Sequence, residues 1–351
     1  MPPTSAVTAE PVADTRGRML RDLRISVTDR CNFRCTYCMP AEIFGERYQF
    51  LPRPDILTFE EITRVARTCA SLGVDKIRIT GGEPLLRHEL PHLIHELAEI
   101  PGIRDIALTT NGTLLKRMAG QLRRSGLSRM TISLDSLDEQ VFLQMNGGKL
   151  DLARVLEGIE TAEAVGFAPI KINCVVQKGV NDHTLVDLAR HFKGTPHIVR
   201  FIEFMDVGTM NGWDMAQVLP TAELARRIGA ELPIEPVDPN YQGEVARRWR
   251  YTDGEGEIGF ITSVTEPFCG GCTRARLTTE GKLVTCLFSS EGMDLRTPLR
   301  EGASDEALAG IVAGRWRVRD DRYSEERTRI MRETDDTQTG TGRVEMYQIG
   351  G

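Results

Sequence analysis

The sequence predicts an α/β protein: a partial, open parallel β/α barrel followed by a mainly antiparallel β extension. Three observations carry this. Six β-rich runs alternate with amphipathic helical segments between about Leu20 and Met205. Polar residues recur at every second position inside several of those runs. After about Pro220 the alternation gives way to β-rich pairs joined by Gly-containing turns.

The six strands are expected at LRISV (23–27), KIRIT (76–80), DIALTT (105–110), RMTISLD (129–135), IKINCVV (170–176) and IVRFIEFM (198–205). The clearest helix is TFEEITRVARTCASLG (58–73), where Thr58 and Glu61 form a capping box and Gly73 follows the end. Its apolar residues Ile62, Val65, Ala66 and Cys69 follow helical spacing. LPHLIHELAEI, LKRMAGQLRRSG, LARVLEGIETAEAVG and DHTLVDLARHF supply the other helices between strands. Strands alternating with helices imply right-handed crossovers and a parallel sheet. Six such units leave the barrel open, short of a closed eightfold one. A helix at 221–232 then leads to hairpins at RWRYT-DGEGE-IGFITSV and RARLT-TEG-KLVTCLF. The predicted divisions are a Pro, Ala and Thr-rich disordered leader (1–15), the barrel (16–219), the extension (220–326) and a tail (327–351).

Side chains alternate along a strand. Lys171 and Asn173 therefore share one face of their strand, as do Arg24 with Ser26, Arg78 with Thr80, Thr131 with Ser133 and Asp135, and Glu203 with Met205. Helices cover the outside of such a sheet, so the polar face turns inward and marks a ligand cavity.

The chain has 351 residues, 40% hydrophobic and 27% charged, enough for a large buried core. A net charge of −6 argues against bulk nucleic-acid binding, so an anionic ligand must meet a local cluster of Arg and Lys. No apolar run has membrane-spanning length, and the N-terminus lacks a secretory pattern. A cytoplasmic setting, with reduced thiols and no membrane partner, is the expectation.

Of eight cysteines, Cys69 and Cys174 lie on apolar faces and read as small buried hydrophobes. The others form two triads: Cys31, Cys35 and Cys38 in CNFRCTYC, and Cys269, Cys272 and Cys286. Three thiolates can hold a cubane iron–sulfur cluster and leave one iron open, the mark of a reactive site. Structural zinc normally takes four ligands, and no His stands near CNFRCTYC to complete the set.

CxxxCxxC with an aromatic before the last Cys resembles the signature of the radical S-adenosylmethionine (SAM) superfamily. ITGGEP (79–84), LTTNG (108–112) and ISLDS (132–136) are similar to its later strand-end motifs. FCGGCTRARLTTEGKLVTCLF, RDLRISVTDRCNFRCTYCMP, KIRITGGEPLLR, KINCVVQKGVND, IEFMDVG-TMNGW and the end QIGG resemble the MoaA family of GTP 3′,8-cyclases, from about residue 16 to 351. The resemblance implies a fold of the radical SAM type carrying two [4Fe–4S] clusters, one on each triad, with SAM on the first and the guanine base of GTP on the second. It implies SAM contacts from Tyr37, Gly82, Ser133 and Met205, the GGEP glycines admitting backbone close to the methionine moiety. GTP contacts are implied for Arg24, Arg78, Thr109, Lys171, Arg274, Ala275 (through backbone) and Arg276. Catalytic roles are implied for the first triad, for Arg274 and Arg276, and for Gly350 and Gly351 reaching the active site. The implied partners are a reduced flavodoxin- or ferredoxin-like donor, a downstream cyclic pyranopterin monophosphate synthase and a second copy of the chain. Gly271 departs from the family, where Asp or Asn often stands. The alternatives are a radical SAM peptide maturase with an auxiliary cluster and a zinc-stabilised binding module.

Overall fold

The computed structural model describes residues 11–327, apart from 149, 150 and 242, together with 343–350. The first half alternates as expected: β1 (Asp22–Ser26), α1 (Phe59–Ser71), β2 (Lys76–Thr80), α2 (Leu90–Ala98), β3 (Asp105–Thr110), α3 (Leu115–Arg124), β4 (Arg129–Ser133), α4 (Glu139–Asn146), α5 (Leu152–Ala164), β5 (Lys171–Val176), α6 (Leu185–Phe192) and β6 (Ile198–Glu203). The sequence reading did not anticipate α4. Its signals are local: the Asp138 side chain caps the N-terminus, and Gly147 closes the other end at φ 76°.

The second half holds α7 (Thr221–Glu231), β7 (Ile234–Pro236), β8 (Arg247–Tyr251), β9 (Glu257–Ile261), β10 (Arg274–Leu277), β11 (Lys282–Val284), β12 (Met293–Asp294), α8 (Arg296–Arg300), α9 (Asp305–Arg317) and α10 (Met346–Ile349). Among the described residues all strands form one twelve-stranded sheet in the order β12-β11-β10-β1-β2-β3-β4-β5-β6-β9-β8-β7. β1 to β6 are parallel neighbours in chain order. The extension therefore splits between the two edges of the barrel sheet. Its hairpins are antiparallel, as expected, but β10 joins β1 and β9 joins β6 in parallel.

Alternate residues of the parallel strands (Leu23, Ile25, Ile77, Ile79, Ile172, Cys174) pack under the apolar stripes of the helices. Cys69 and Cys174 are wholly buried in this layer, as small hydrophobes. The α1 capping box is formed: Glu61 N donates to Thr58 Oγ1 at 3.2 Å and Thr58 N to Glu61 Oε2 at 2.8 Å. Thr58→Ala should cost about 1 kcal/mol, read as a lower denaturation midpoint with an unchanged slope.

The leader needs correction at its end. Residues 11–15 are packed: Leu20 N donates to Val12 O at 2.9 Å, and Val12 and Asp14 are buried. A single apolar residue and one carboxylate override the local composition because both find partners in the folded body. The rest of the predicted leader, 1–10, lies outside the described residues.

Candidate active site

The inward face of the sheet encloses a cavity of about 240 Å³. Strand alternation puts Arg24 (β1), Arg78 (β2), Thr109 (β3), Lys171 (β5), and Arg274 and Arg276 (β10) on its wall. Cys269, Cys272 and Cys286 close one side, and Met205 lies just past the end of β6. The sequence-read basic residues and the second cysteine triad thus meet in one space.

Register makes the arrangement electrostatically costly. Arg24 stands opposite Arg78 on one side and Arg276 on the other. Burial, then Arg276, Arg78 and Arg274, hold the Arg24 guanidinium well below its ordinary range. Arg276 is drawn down to about 10 by burial and Arg274. Lys171 falls to about 7 through burial and the charges of Arg200, Arg129 and Arg78. Arg78 Nη1 donates to Thr109 Oγ1 at 3.1 Å and Thr131 Oγ1 at 3.2 Å, which sets its fork into the cavity. Among the described residues, Arg274 Nε and Arg276 Nε and Nη1 are buried without a hydrogen-bond partner. Donors left idle among crowded, like-charged neighbours fit an anionic guest.

The sequence reading missed five cations of the cavity wall, Lys76, Arg129, Arg200, Arg248 and Arg319. Arg200 on β6 reaches Asn173 Oδ1 through Nε (2.9 Å) and Nη2 (2.7 Å), and Arg129 on β4 pairs with Asp105. A lone Arg inside the apolar run IVRFIEF was the available signal, since a buried Arg needs a partner. On the same strand the parity assignment needs correction. The inward set is Ile198, Arg200 and Ile202. Glu203 faces away and accepts Thr221 N at 2.9 Å and Val264 N at 2.8 Å. Regular alternation stops at Glu203, so Met205 regains the cavity beyond the strand end.

The first triad sits in the loop after β1. Cys38 N donates to Cys35 O at 3.0 Å and Phe33 N to Cys31 Sγ at 3.4 Å. Burial and then Glu83 push the Cys31 thiol up to about 12. Burial, Asp135 and the other two thiols also push Cys35 well above its ordinary range, so the three share one electrostatic neighbourhood. Tyr37 donates to Asp135 Oδ2 at 2.8 Å, and Val175 N donates to Asp135 Oδ1 at 2.8 Å, tying the loop to β4 and β5. Ser133 ends β4, half-buried.

Glycine at 81 and 82 has a reason within the chain itself, in addition to any ligand. A Cβ on Gly82 would lie 2.3 Å from Arg30 O, and one on Gly81 2.5 Å from Thr28 O. Gly82 N donates to Thr28 O and Glu83 N to Arg30 O, both at 2.8 Å. The GGEP segment is zipped onto the strand exit that leads into CNFRCTYC.

In the second triad, burial opposes the thiolate, but Arg274, Arg319 and Arg276 overcome it and bring Cys272 down to about 6. Ala275 turns its methyl into the core, leaving only its backbone for the cavity side. A Cβ on Gly271 would stand 3.2 Å from Gly243 Cα, so this position lies against the loop before β8 and bridges the open side of the barrel. Gly350, at φ +61°, is packed on Thr80 at the end of β2, where a Cβ would fall 2.1 Å from Thr80 Cγ2. Gly351 lies outside the described residues.

Three thiols without a fourth suit a four-iron cluster with one open iron. Among the described residues no three His, Cys, Asp or Glu side chains gather tightly enough for a single metal ion. A cubane takes its ligands from separate corners and needs no such close approach.

Residues 25–192 match the Radical SAM superfamily, and residues 197–325 match Molybdenum Cofactor Synthesis C. The chain is 50% identical to the GTP 3′,8-cyclase of Acidothermus cellulolyticus, over 97% of this chain and 99% of that one. It is 50% identical to that of Xanthomonas axonopodis pv. citri (97% and 99%) and 49% identical to that of Staphylococcus saprophyticus (91% and 94%). Among solved structures, Streptococcus suis SuiB bound to S-adenosylmethionine aligns with TM-score 0.58 and 16% identity, over 85% of this chain and 69% of that one. That likeness shows the shared fold. Identity at half of all positions across nearly the whole length shows that the chain belongs to the GTP 3′,8-cyclase family of radical SAM enzymes.

Proposed function

We infer that this chain cyclises GTP to (8S)-3′,8-cyclo-7,8-dihydroguanosine 5′-triphosphate, the first step of molybdenum cofactor biosynthesis. One observation carries the reading: buried, mutually repelling cations with idle donors wall the same cavity as a cysteine triad. A triphosphate beside a base-binding cluster is a guest of matching charge and shape.

In this reading Cys31, Cys35 and Cys38 would hold one [4Fe–4S] cluster, and Cys269, Cys272 and Cys286 would hold a second, which would bind the guanine base. When bound, the reduced first cluster and SAM supply a 5′-deoxyadenosyl radical able to take hydrogen from ribose carbon 3′. Tyr37, Gly82, Ser133 and Met205 border SAM. Arg24, Arg78, Thr109, Lys171, Arg274 and Arg276, with the Ala275 backbone, hold GTP so that carbon 3′ and carbon 8 stand at bonding approach. Arg129 and Arg200 add to the field on the triphosphate. Gly350 packs against Thr80 without side-chain bulk and helps exclude water. Ring closure takes one further electron and proton, so a flavodoxin- or ferredoxin-like donor is the proposed partner. A cyclic pyranopterin monophosphate synthase would consume the product. We place the enzyme, as a homodimer, in the cytoplasm, where the open clusters meet reducing conditions. No helix among the described residues is long and apolar enough to cross a membrane.

Anaerobic incubation with SAM, dithionite and GTP deuterated at carbon 3′ tests the reaction. The expected result is cyclised nucleotide with deuterium carried into 5′-deoxyadenosine; unlabelled 5′-deoxyadenosine would sink it.

Lys171 gives a pH signature. Its ammonium, held at about 7 by burial and its cationic neighbours, returns toward its ordinary 10.5 beside a polyphosphate. Below pH 7 the charge is present in both states and affinity is flat; above it, binding takes up a proton. GTP affinity should weaken by up to ~tenfold per pH unit above 7. Calorimetry in two buffers of different ionisation enthalpy should show this uptake in wild type and none in Lys171→Met.

A further inference from the structure

The second cysteine triad is carried by loops with little regular structure of their own, and three residues far from it in sequence grip those loops. Asp14, Arg18 and Arg319 form a buried ion triad with side chains at most 2% exposed. Arg18 Nε donates to Asp14 Oδ2 at 2.6 Å and Arg319 Nη1 to the same oxygen at 3.0 Å. Asp14 Oδ1 also accepts the backbone N–H groups of Arg16 and Arg18, both at 2.9 Å. One carboxylate thereby fixes two guanidiniums.

Each guanidinium also donates to the cysteine loops, and both reach Asp321, through its carbonyl (Arg18 Nη1, 2.8 Å) and its carboxylate (Arg319 Nε, 3.3 Å). Arg18 Nη1 donates to the carbonyl of Cys269 at 2.9 Å. Arg319 Nη1 donates to the carbonyl of Cys272 at 2.8 Å, and its Nε to the carbonyl of Thr285, next to Cys286, at 3.1 Å. Trp316 of α9 is wholly buried, lies 4.5 Å from the Arg319 guanidinium, and donates from Nε1 to Arg18 O at 2.9 Å. All three cysteine positions are thus tethered to one rigid unit assembled from both ends of the chain.

Stability does not explain this arrangement, because a buried ion triad commonly contributes no more than well-packed apolar residues of equal volume. What the apolar set cannot do is present several N–H donors in a fixed plane to three separate carbonyls. We propose that Asp14, Arg18 and Arg319 are positioning residues that hold Cys269, Cys272 and Cys286 at the spacing of the second cluster. The inference rests on the two-cluster reading above. The packed segment after residue 11 acquires a task from it: Asp14 is the hinge pin of the unit. The positive charge of Arg319 also favours thiolate at Cys272.

The test uses full-length protein reconstituted anaerobically with iron and sulfide, as wild type, Arg319→Lys, Asp14→Asn and, as control, Arg16→Ala, an exposed neighbour on the same segment. Wild type and the control should bind roughly eight irons per chain. Arg319→Lys and Asp14→Asn should keep the wild-type circular dichroism and the first cluster's electron paramagnetic resonance signal with its response to SAM. They should either drop to roughly four irons or keep eight with a shifted midpoint potential for the second cluster only. Wild-type iron and both wild-type potentials in both variants would overturn the proposal. Loss of both clusters together with the folded spectrum in both variants would overturn it too, making the unit a folding element. Wild-type protein that binds only about four irons would remove the two-cluster reading itself, before any variant is examined.

Discussion

Cys35→Ser should abolish SAM cleavage: 5′-deoxyadenosine falls to background while roughly half of the iron remains, on the second triad. The size of the effect follows from the absence of a spare donor. A cluster with one open iron already has the fewest protein ligands compatible with its function, so a fourth side chain cannot compensate. The acids nearest the loop are engaged elsewhere. Asp135 accepts Tyr37 and Val175, and Glu83 accepts Thr110 Oγ1 at 2.7 Å, Asn111 N at 2.8 Å and Leu85 N at 3.0 Å. Serine offers a harder and far more basic oxygen. The loop should stay in place, because Tyr37–Asp135 and the backbone bonds to GGEP do not depend on the thiol. Iron analysis and chromatography of the nucleoside product check the result together. 5′-Deoxyadenosine at more than a few per cent of the wild-type yield would exclude an obligatory role for this thiolate.

Much of this site is legible in sequence because the rule that reveals it is local. Alternation along a strand turns Arg24, Arg78 and Lys171 inward from the letters of their own segments, and the cavity holds all three. The alternation of strand and helix fixes the order β1 to β6 for the same reason. What failed to show depends on pairing between distant segments. Nothing near RARL or EIGFI says that the two runs lie at opposite edges of the barrel, β10 on β1 and β9 on β6. Glu203 shares the outward parity of Val199 and Phe201, and its role could not be read locally because its partners, Thr221 and Val264, come from beyond the strand. The Asp14–Arg319 contact joins residues 305 apart, and composition had assigned one of them to a disordered leader. The glycines of GGEP were legible as a need for close approach, but the backbone approaching them, Thr28 to Arg30, is visible only in three dimensions.

Arg24→Leu should make the GTP-free enzyme more stable and nearly useless. Arg24 is the centre of a row of three guanidiniums on adjacent strands, Arg78, Arg24 and Arg276, at an interstrand spacing near 4.8 Å. Like charges facing each other across strands oppose folding. The lowered pKa of Arg24, caused by burial and then by Arg276, Arg78 and Arg274, expresses this cost. For a base whose folded value is depressed, the charged form is penalised at every pH below that value. The penalty is therefore present throughout the neutral range and eases only as pH rises through the depressed value. An apolar residue of similar volume relieves two repulsions at once and removes a buried charge from the cavity wall. A rise of a few degrees in melting temperature is expected for a chain of this size. A triphosphate reverses the account, since its charge turns the row from mutual repulsion into shared attraction, with bidentate geometry at each fork. Removing the central member should raise KM for GTP by about 10²–10³-fold, or roughly 3–4 kcal/mol of binding. SAM affinity should be unchanged. The two halves of this prediction fail separately. A melting temperature at or below wild type would refute the stored repulsion, and a KM change under tenfold would refute the triphosphate as its counterweight. If both hold, the polar face of this barrel is kept against the interest of the fold, and the stability given up on it is what GTP binding recovers.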